Sequence, residues 1–68
     1  MIINSKELLL ARAKLMLTIN DLSKKADVGK STISKLENGK SFGSPIVIAK
    51  LANALEVDIT SISKNEVK

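Results

Sequence analysis

Apolar residues recur at helical spacing along most of the chain, and turn-forming residues divide them into short segments. In the first segment, Leu8 and Leu15 share one face with the Ala11–Arg12 region, which predicts a helix over about residues 6–15. Asn4 stands just before it and is the expected N-cap, because its side chain can accept a hydrogen bond from the first turn.

Two shorter helices follow, joined by a tight turn. Thr18 is a good N-cap and Asp21 follows three residues later, which predicts a second helix over about residues 19–26. A three-residue break, Asp27–Gly29, separates it from a third helix over about residues 30–38. No stretch shows the sustained alternation of a strand.

The last part of the chain predicts two more helices and a polar tail. Ser44-Pro45 is a strong helix start, and this fourth helix should end near Glu56. Asp58 can cap a last short helix that runs through Ile62, after which residues 63–68 are expected to fray. The predicted fold class is therefore all-α, a bundle of five short helices.

Composition supports this view and removes several functions. At 68 residues the chain is expected to form one domain, 1–68, with an aliphatic core because it has one Phe and neither Trp nor Tyr. Cys and His are absent, which excludes the usual zinc, haem and iron–sulfur ligands, so no cofactor is expected and no enzyme. The longest apolar runs, 8–11 and 46–49, are far too short to span a membrane, and the expected location is the cytoplasm.

Positive charge is concentrated in one part of the chain. Residues 24–40 carry five lysines against two acidic residues, a net charge of +3 out of the chain's +4. A localised basic patch suits a polyanion such as DNA. A solvated surface with a chance cluster of lysines has the same signature, and charge alone leaves both interpretations open.

The second and third helices, short and tightly joined, have the layout of a helix-turn-helix over about residues 18–38. Three segments, LTINDL at 17–22, VGKSTISKLENGK at 28–40 and LANALEV at 51–57, resemble the phage repressor and Cro family, also called the XRE family. The resemblance covers about residues 8–62 and implies a lambda-repressor-like DNA-binding domain. It departs from the family where Ile19 replaces the usual Gln and Ser23 replaces a usual Ala.

The resemblance implies that the third helix lies in the DNA major groove. The base-reading residues it implies are Lys30, Ser31, Ser34 and Lys35. Helical geometry agrees for two of them, because Ser31 and Lys35 are four residues apart and lie opposite the predicted core pair Ile33 and Leu36. Lysine can donate to guanine O6 and N7, and serine can donate to or accept from several bases.

Phosphate contacts are implied at the start of the second helix, on the third helix and in the loop after it. The residues at these positions are Thr18, Ile19, Asn20, Thr32, Asn38, Lys40 and Ser41. Short polar and cationic side chains are typical phosphate ligands. For any single lysine the alternative is a charge that contacts only water, and we prefer that alternative for Lys24 and Lys25.

Arg12 and Glu37 correspond to a structural ion pair in relatives that ties the first helix to the end of the third. Arg12 lies between Leu8 and Leu15 on the apolar face, an unusual place for a charge. A charge there normally has a partner, so we expect the pair rather than two solvated side chains.

Taken together, the resemblance implies a sequence-specific DNA-binding transcriptional regulator, with double-stranded DNA as its partner. We expect a small repressor that binds a palindromic operator as a homodimer, either weak or formed only on DNA. The alternative is a protein-interaction module, an antirepressor or antitoxin. That module would use the consecutive apolar residues Leu9 and Leu10, together with the tail, against a protein partner.

Overall fold

The computed structural model describes residues 2–41 and 43–64. The elements are β1 Ile2–Ile3, α1 Ser5–Lys14, α2 Ile19–Ala26, α3 Lys30–Glu37, α4 Pro45–Leu55, a 3-10 helix Ile59–Ser61 and β2 Ser63–Lys64. The helical fold class and the order of the four main helices are confirmed. Within the described ranges, no helix is long and apolar enough to cross a membrane.

The predicted helix starts and the left-handed break are also found. Asn4 Oδ1 accepts from the N–H of Glu7 at 3.3 Å, and Thr18 caps α2. Ser44 caps α4 with Pro45 in the first turn. Asp27 ends α2 with a φ of 58°, a conformation that Asp tolerates better than most residues other than Gly.

The C-terminal end differs from the prediction. The fifth helix is a single 3-10 turn, although Asp58 caps it as expected by accepting from the N–H of Thr60 at 3.4 Å. The tail was expected to fray from residue 63, but β2 pairs antiparallel with β1, with Ile3 opposite Ser63. Strands of two residues are too short to produce a detectable alternation. The rest of the predicted frayed tail, 65–68, lies outside the described residues.

One aliphatic core holds these elements together. Its largest fully buried side chains are Leu8, Leu22, Ile33, Leu36, Ile48, Leu51, Leu55 and Ile62. Leu15, expected on the buried face of α1, is instead 36% exposed. The reason is that α1 ends at Lys14, and Met16 then turns the chain with a φ of 57°, so the helical register no longer applies to Leu15.

Two glycines with the same φ of +73° provide a matched test of how closely the core is packed. A Cβ at Gly43 would lie 3.0 Å from Leu36 Cδ2, whereas one at Gly39 would meet nothing closer than 3.9 Å. Gly39→Ala should cost about 1–2 kcal/mol from the backbone alone. Gly43→Ala should cost roughly 1–3 kcal/mol more because of overpacking. Equal losses in chemical denaturation would contradict this packing.

Candidate nucleic-acid interface

The turn between α2 and α3 is fixed by the side chain of Ser23, which stands where the family usually has alanine. Ser23 Oγ donates to the carbonyl of Val28 at 2.6 Å, across the left-handed Asp27. Val28 itself is buried, so the turn is anchored on both sides. The serine that replaces the usual alanine therefore gives the turn a hydrogen bond that an alanine could not make.

Helix α3 presents a polar face to solvent. Ile33 and Leu36 are fully buried and hold its other face on the core. The predicted base-reading residues all lie on α3, and they are Lys30, Ser31, Ser34 and Lys35. Ser34 is half-buried and the other three are exposed. Ser31 and Lys35 are exposed on the side of α3 opposite the buried pair, as their spacing predicts.

The end of α3 places two predicted phosphate ligands beside this face. Asn38 Nδ2 donates to Ser34 Oγ at 3.3 Å, which orients both side chains. The N–H of Lys40 donates to the carbonyl of Lys35 at 2.8 Å, with Gly39 left-handed between them. This is the hydrogen bond of a Schellman motif, and it fixes the backbone of Lys40 one turn from Lys35.

The start of α2 provides a second group of candidate phosphate donors. Thr18 and Asn20 are exposed, and Ile19 is half-buried against the core, so Ile19 can offer only its backbone N–H. Asp21 and Thr18 form a capping box with two hydrogen bonds of 3.0 Å. The N–H groups of residues 19 and 20 have no partner within the helix and favour an anion there.

The same capping box sets the ionisation of Asp21. The backbone N–H of Thr18, followed by its side chain, lowers the pKa of Asp21. Asp21 is therefore negative at neutral pH, which offsets part of the attraction of this helix end for a phosphate. Because its pKa is lowered on folding, its stabilising effect is present near neutrality and is lost as the pH falls through the lowered value.

The two remaining predicted contacts occupy the edges of the interface. Thr32 is half-buried on α3, away from the face that Ser31 and Lys35 share. Ser41 is half-buried in the loop after α3, and its Oγ accepts from the N–H of Gly43 at 3.4 Å. Ser41 therefore contributes to the shape of the loop, and its hydroxyl proton is still available for a phosphate.

The predicted ion pair between Arg12 and Glu37 is present. Arg12 Nε and Nη2 donate to the two carboxylate oxygens of Glu37 at 2.7 and 3.0 Å, and Nη1 donates to the carbonyl of Leu17 at 2.8 Å. The side chains of Arg12 and Glu37 are only 17% and 5% exposed. The hydrogen bond to Glu37 raises the pKa of Arg12; desolvation opposes the shift and the attraction of the carboxylate supports it. The pair fixes α1, the approach to α2 and the end of α3 relative to one another.

A second link between α1 and α3 was not predicted. Ser5 Oγ donates to the carbonyl of Leu36 at 2.5 Å, one residue before Glu37. Ser5 and Arg12 are seven residues apart, two helical turns, and therefore lie on the same side of α1. That spacing was readable in the sequence, but nothing in it indicated that the acceptor would be a backbone carbonyl of α3.

The lysines of this region are not equivalent. Lys25 Nζ lies 3.3 Å from Glu56 Oε2 in an exposed pair, which has little effect on stability. Within residues 2–41 and 43–64, Lys30, Lys35 and Lys40 form no ion pair. These three remain available to a polyanion, and all three belong to α3 or to the turn that ends it.

Comparison with solved structures supports the same fold. The restriction-modification controller protein C.AhdI from Aeromonas hydrophila superposes with a TM-score of 0.81 at 24% identity, over 84% of this chain and 86% of that one. A chain of the SinR protein/SinI protein complex gives 0.81 at 22% identity, over 85% of this chain and 57% of that one. SinR, described as the master regulator for biofilm formation, gives 0.79 at 22% identity in complex with DNA, over 84% and 95% of the two chains. No curated protein sequence matches the chain significantly.

Fold and exposed face together define a helix-turn-helix DNA-binding domain. A family model described as Helix-turn-helix matches residues 8–62, most of the chain. The chain belongs to this family, in its XRE branch, as the sequence resemblance predicted. It is a transcriptional regulator that binds specific DNA sequences, and it is not an enzyme.

Proposed function

We propose that the chain is a small repressor that binds a palindromic operator as a homodimer, with α3 in the major groove. The whole chain, 1–68, acts as one helix-turn-helix domain on cytoplasmic DNA, at the nucleoid. The observation that supports this most directly is the exposed polar face of α3, where lysines without an ion-pair partner among the described residues flank serines, opposite a fully buried apolar face. In this proposal Lys30, Ser31, Ser34 and Lys35 contact base edges.

The proposed phosphate contacts bracket this face on both sides. The residues are Thr18, Ile19, Asn20, Thr32, Asn38, Lys40 and Ser41. They lie at the start of α2, on α3 and in the loop after it, so they would hold the strands on either side of the groove that α3 enters. One such module spans a half-site, and two copies related by a two-fold axis would read half-sites one helical turn apart.

Selection of bound sequences from a random DNA pool tests this proposal. The expected result is a motif with two inverted half-sites whose centres are about 10 base pairs apart, or a multiple of that spacing. Retention should weaken steeply with added salt, because phosphate contacts release counterions. Enrichment of no sequence, with retention that is uniform across the pool, would contradict sequence-specific reading by α3.

The second candidate function is a protein-interaction module, an antirepressor or antitoxin. It is favoured by the exposure of Leu9 and Leu10, which are 42% and 47% exposed on α1. Large apolar side chains next to each other on a surface are typical of protein contacts. Stoichiometric capture of one protein, lost on Leu9→Asp and without any operator in the DNA selection, would favour this function over the first.

A further inference from the structure

A groove lies on the side of α1 that faces away from α3. It has a volume of about 190 Å³ and is lined by Glu7, Leu10, Ala11, Lys14, Val57, Ser61 and Ile62. The floor is apolar, since Ile62 is fully buried and Val57 packs against the core. Leu10 stands at the edge of the groove and is 47% exposed, which is a large exposed fraction for a leucine that borders an apolar floor.

The charges along this groove follow a simple order. Glu7 and Lys14 are seven residues apart, so they lie on the same side of α1, about 10 Å from each other. Leu10 and Ala11 occupy the middle of that interval. Among the described residues, neither Glu7 nor Lys14 has an ion-pair partner. Lys6 is exposed nearby but does not line the groove. The groove lining therefore has a negative end, an apolar centre and a positive end.

Such a face is complementary to itself. When two copies are placed antiparallel about a two-fold axis through the centre, the negative end of each lies against the positive end of the other. The two apolar centres meet on the axis. A two-fold interface requires this self-complementarity, because the same patch is used on both subunits. Binding of a peptide or an unrelated protein would not require the charges to reverse in sign about the midpoint of the groove.

We propose that this α1 groove is the contact between two copies of the chain. Glu7 pairs with Lys14 of the partner subunit, Lys14 pairs with Glu7 of the partner subunit, and the two Leu10 side chains pack across the axis. The proposal rests on the homodimer of the proposed function and specifies the surface that forms it. The contact is small, so the dimer is weak in solution and is strengthened when both copies bind one DNA.

The opposite side of α1 is compatible with this pairing. Ser5 and Arg12 point toward α3 and hold Leu36 and Glu37 there. On a helical projection their side lies roughly 180° from the centre of the side that Glu7, Leu10 and Lys14 share, at 100° per residue. Pairing through the groove therefore leaves the α1–α3 contact intact and leaves the polar face of α3 uncovered.

Charge reversal tests the pairing directly. Glu7→Lys and Lys14→Glu should each weaken self-association by roughly a hundredfold, because like charges then lie opposite each other. Mixing the two variants should restore association as a heterodimer, and the double variant Glu7→Lys/Lys14→Glu should self-associate like the wild type. Analytical ultracentrifugation measures all four samples. Association that is unchanged in the single variants, or a mixture that does not recover it, would overturn the proposal.

A disulfide trap provides an independent measurement. The chain has no Cys, so Leu10→Cys introduces one thiol at the proposed axis, and mild oxidation should trap a covalent dimer. Leu9→Cys is the matched control, because Leu9 is similarly exposed but lies 100° around the helix. Equal trapping of both variants would reject the α1 groove as the contact.

Binding to DNA that carries one half-site separates this proposal from the proposed function. Residues 7 and 14 lie on the side of α1 that faces away from α3. The Glu7→Lys and Lys14→Glu variants should therefore each keep the sequence preference of the wild type on a single half-site. Their loss of affinity should appear only on the two-half-site operator. A variant that loses preference on the single half-site as well would show that α1 acts on DNA reading rather than on pairing, and would also overturn the proposal.

Discussion

Replacing Arg12 by Ala should lower the free energy of unfolding by about 3–5 kcal/mol, the typical effect of removing one partner from a buried ion pair. The substitution leaves the Glu37 carboxylate, 5% exposed, without its two donors, and it leaves the Leu17 carbonyl without Arg12 Nη1. A 68-residue domain has only about 3–10 kcal/mol in total, so the loss removes much of its stability. Thermal unfolding should show a midpoint lower by more than about 12 °C.

Two further variants show whether the effect arises from the unpaired charge. Lys6→Ala removes an exposed charge from the same helix and should change the midpoint by only a degree or two. Arg12→Met combined with Glu37→Leu leaves no carboxylate unpaired and should recover much of the lost stability. Recovery should be incomplete, because Leu17 still lacks its donor. A shift of only a degree or two in Arg12→Ala would show that the pair contributes nothing to stability.

The helices were predictable because local rules determine them. Thr18, Asp27 and Ser44 act through their own side chains or their own φ, so a few neighbouring residues specify each boundary. The pairing of Ile3 with Ser63 depends on contacts sixty residues apart, and strands of two residues leave no pattern to read. Local sequence patterns therefore predicted a tail that frays from residue 63, whereas in the structure β2 pairs antiparallel with β1.

The candidate site shows the same division. Helical geometry alone predicts that Ser31 and Lys35 share one exposed face. The pairing of Arg12 with Glu37, in contrast, could be predicted only from the family resemblance. Ser5 was missed because its acceptor is a backbone carbonyl, which any residue could supply. Residue identity in a sequence predicts side-chain partners better than it predicts contacts to the main chain.

The lysines on α3 should differ from Lys40 in what they contribute to DNA binding. Lys30 and Lys35 are exposed on the helix that carries the proposed reading face. Replacing either with Ala should cost about 1–3 kcal/mol per half-site and relax the sequence preference at the base pair it contacts. Lys40, fixed in the turn after α3, should contact only phosphate. Lys40→Ala should therefore weaken binding to all sequences equally and reduce the salt slope by about one unit.

The measurement is a repeat of the random-pool selection with each variant, together with titrations of one operator at several salt concentrations. Lys25→Ala is the matched control, because Lys25 is exposed in the same basic stretch but pairs with Glu56 rather than lying on α3. It should leave both the selected motif and the affinity nearly unchanged. A change of motif separates base reading from charge neutralisation, since loss of a phosphate contact lowers affinity without altering which sequence is preferred. Equal losses in all the lysine variants, with one unchanged motif, would mean that α3 contributes charge but does not read the operator.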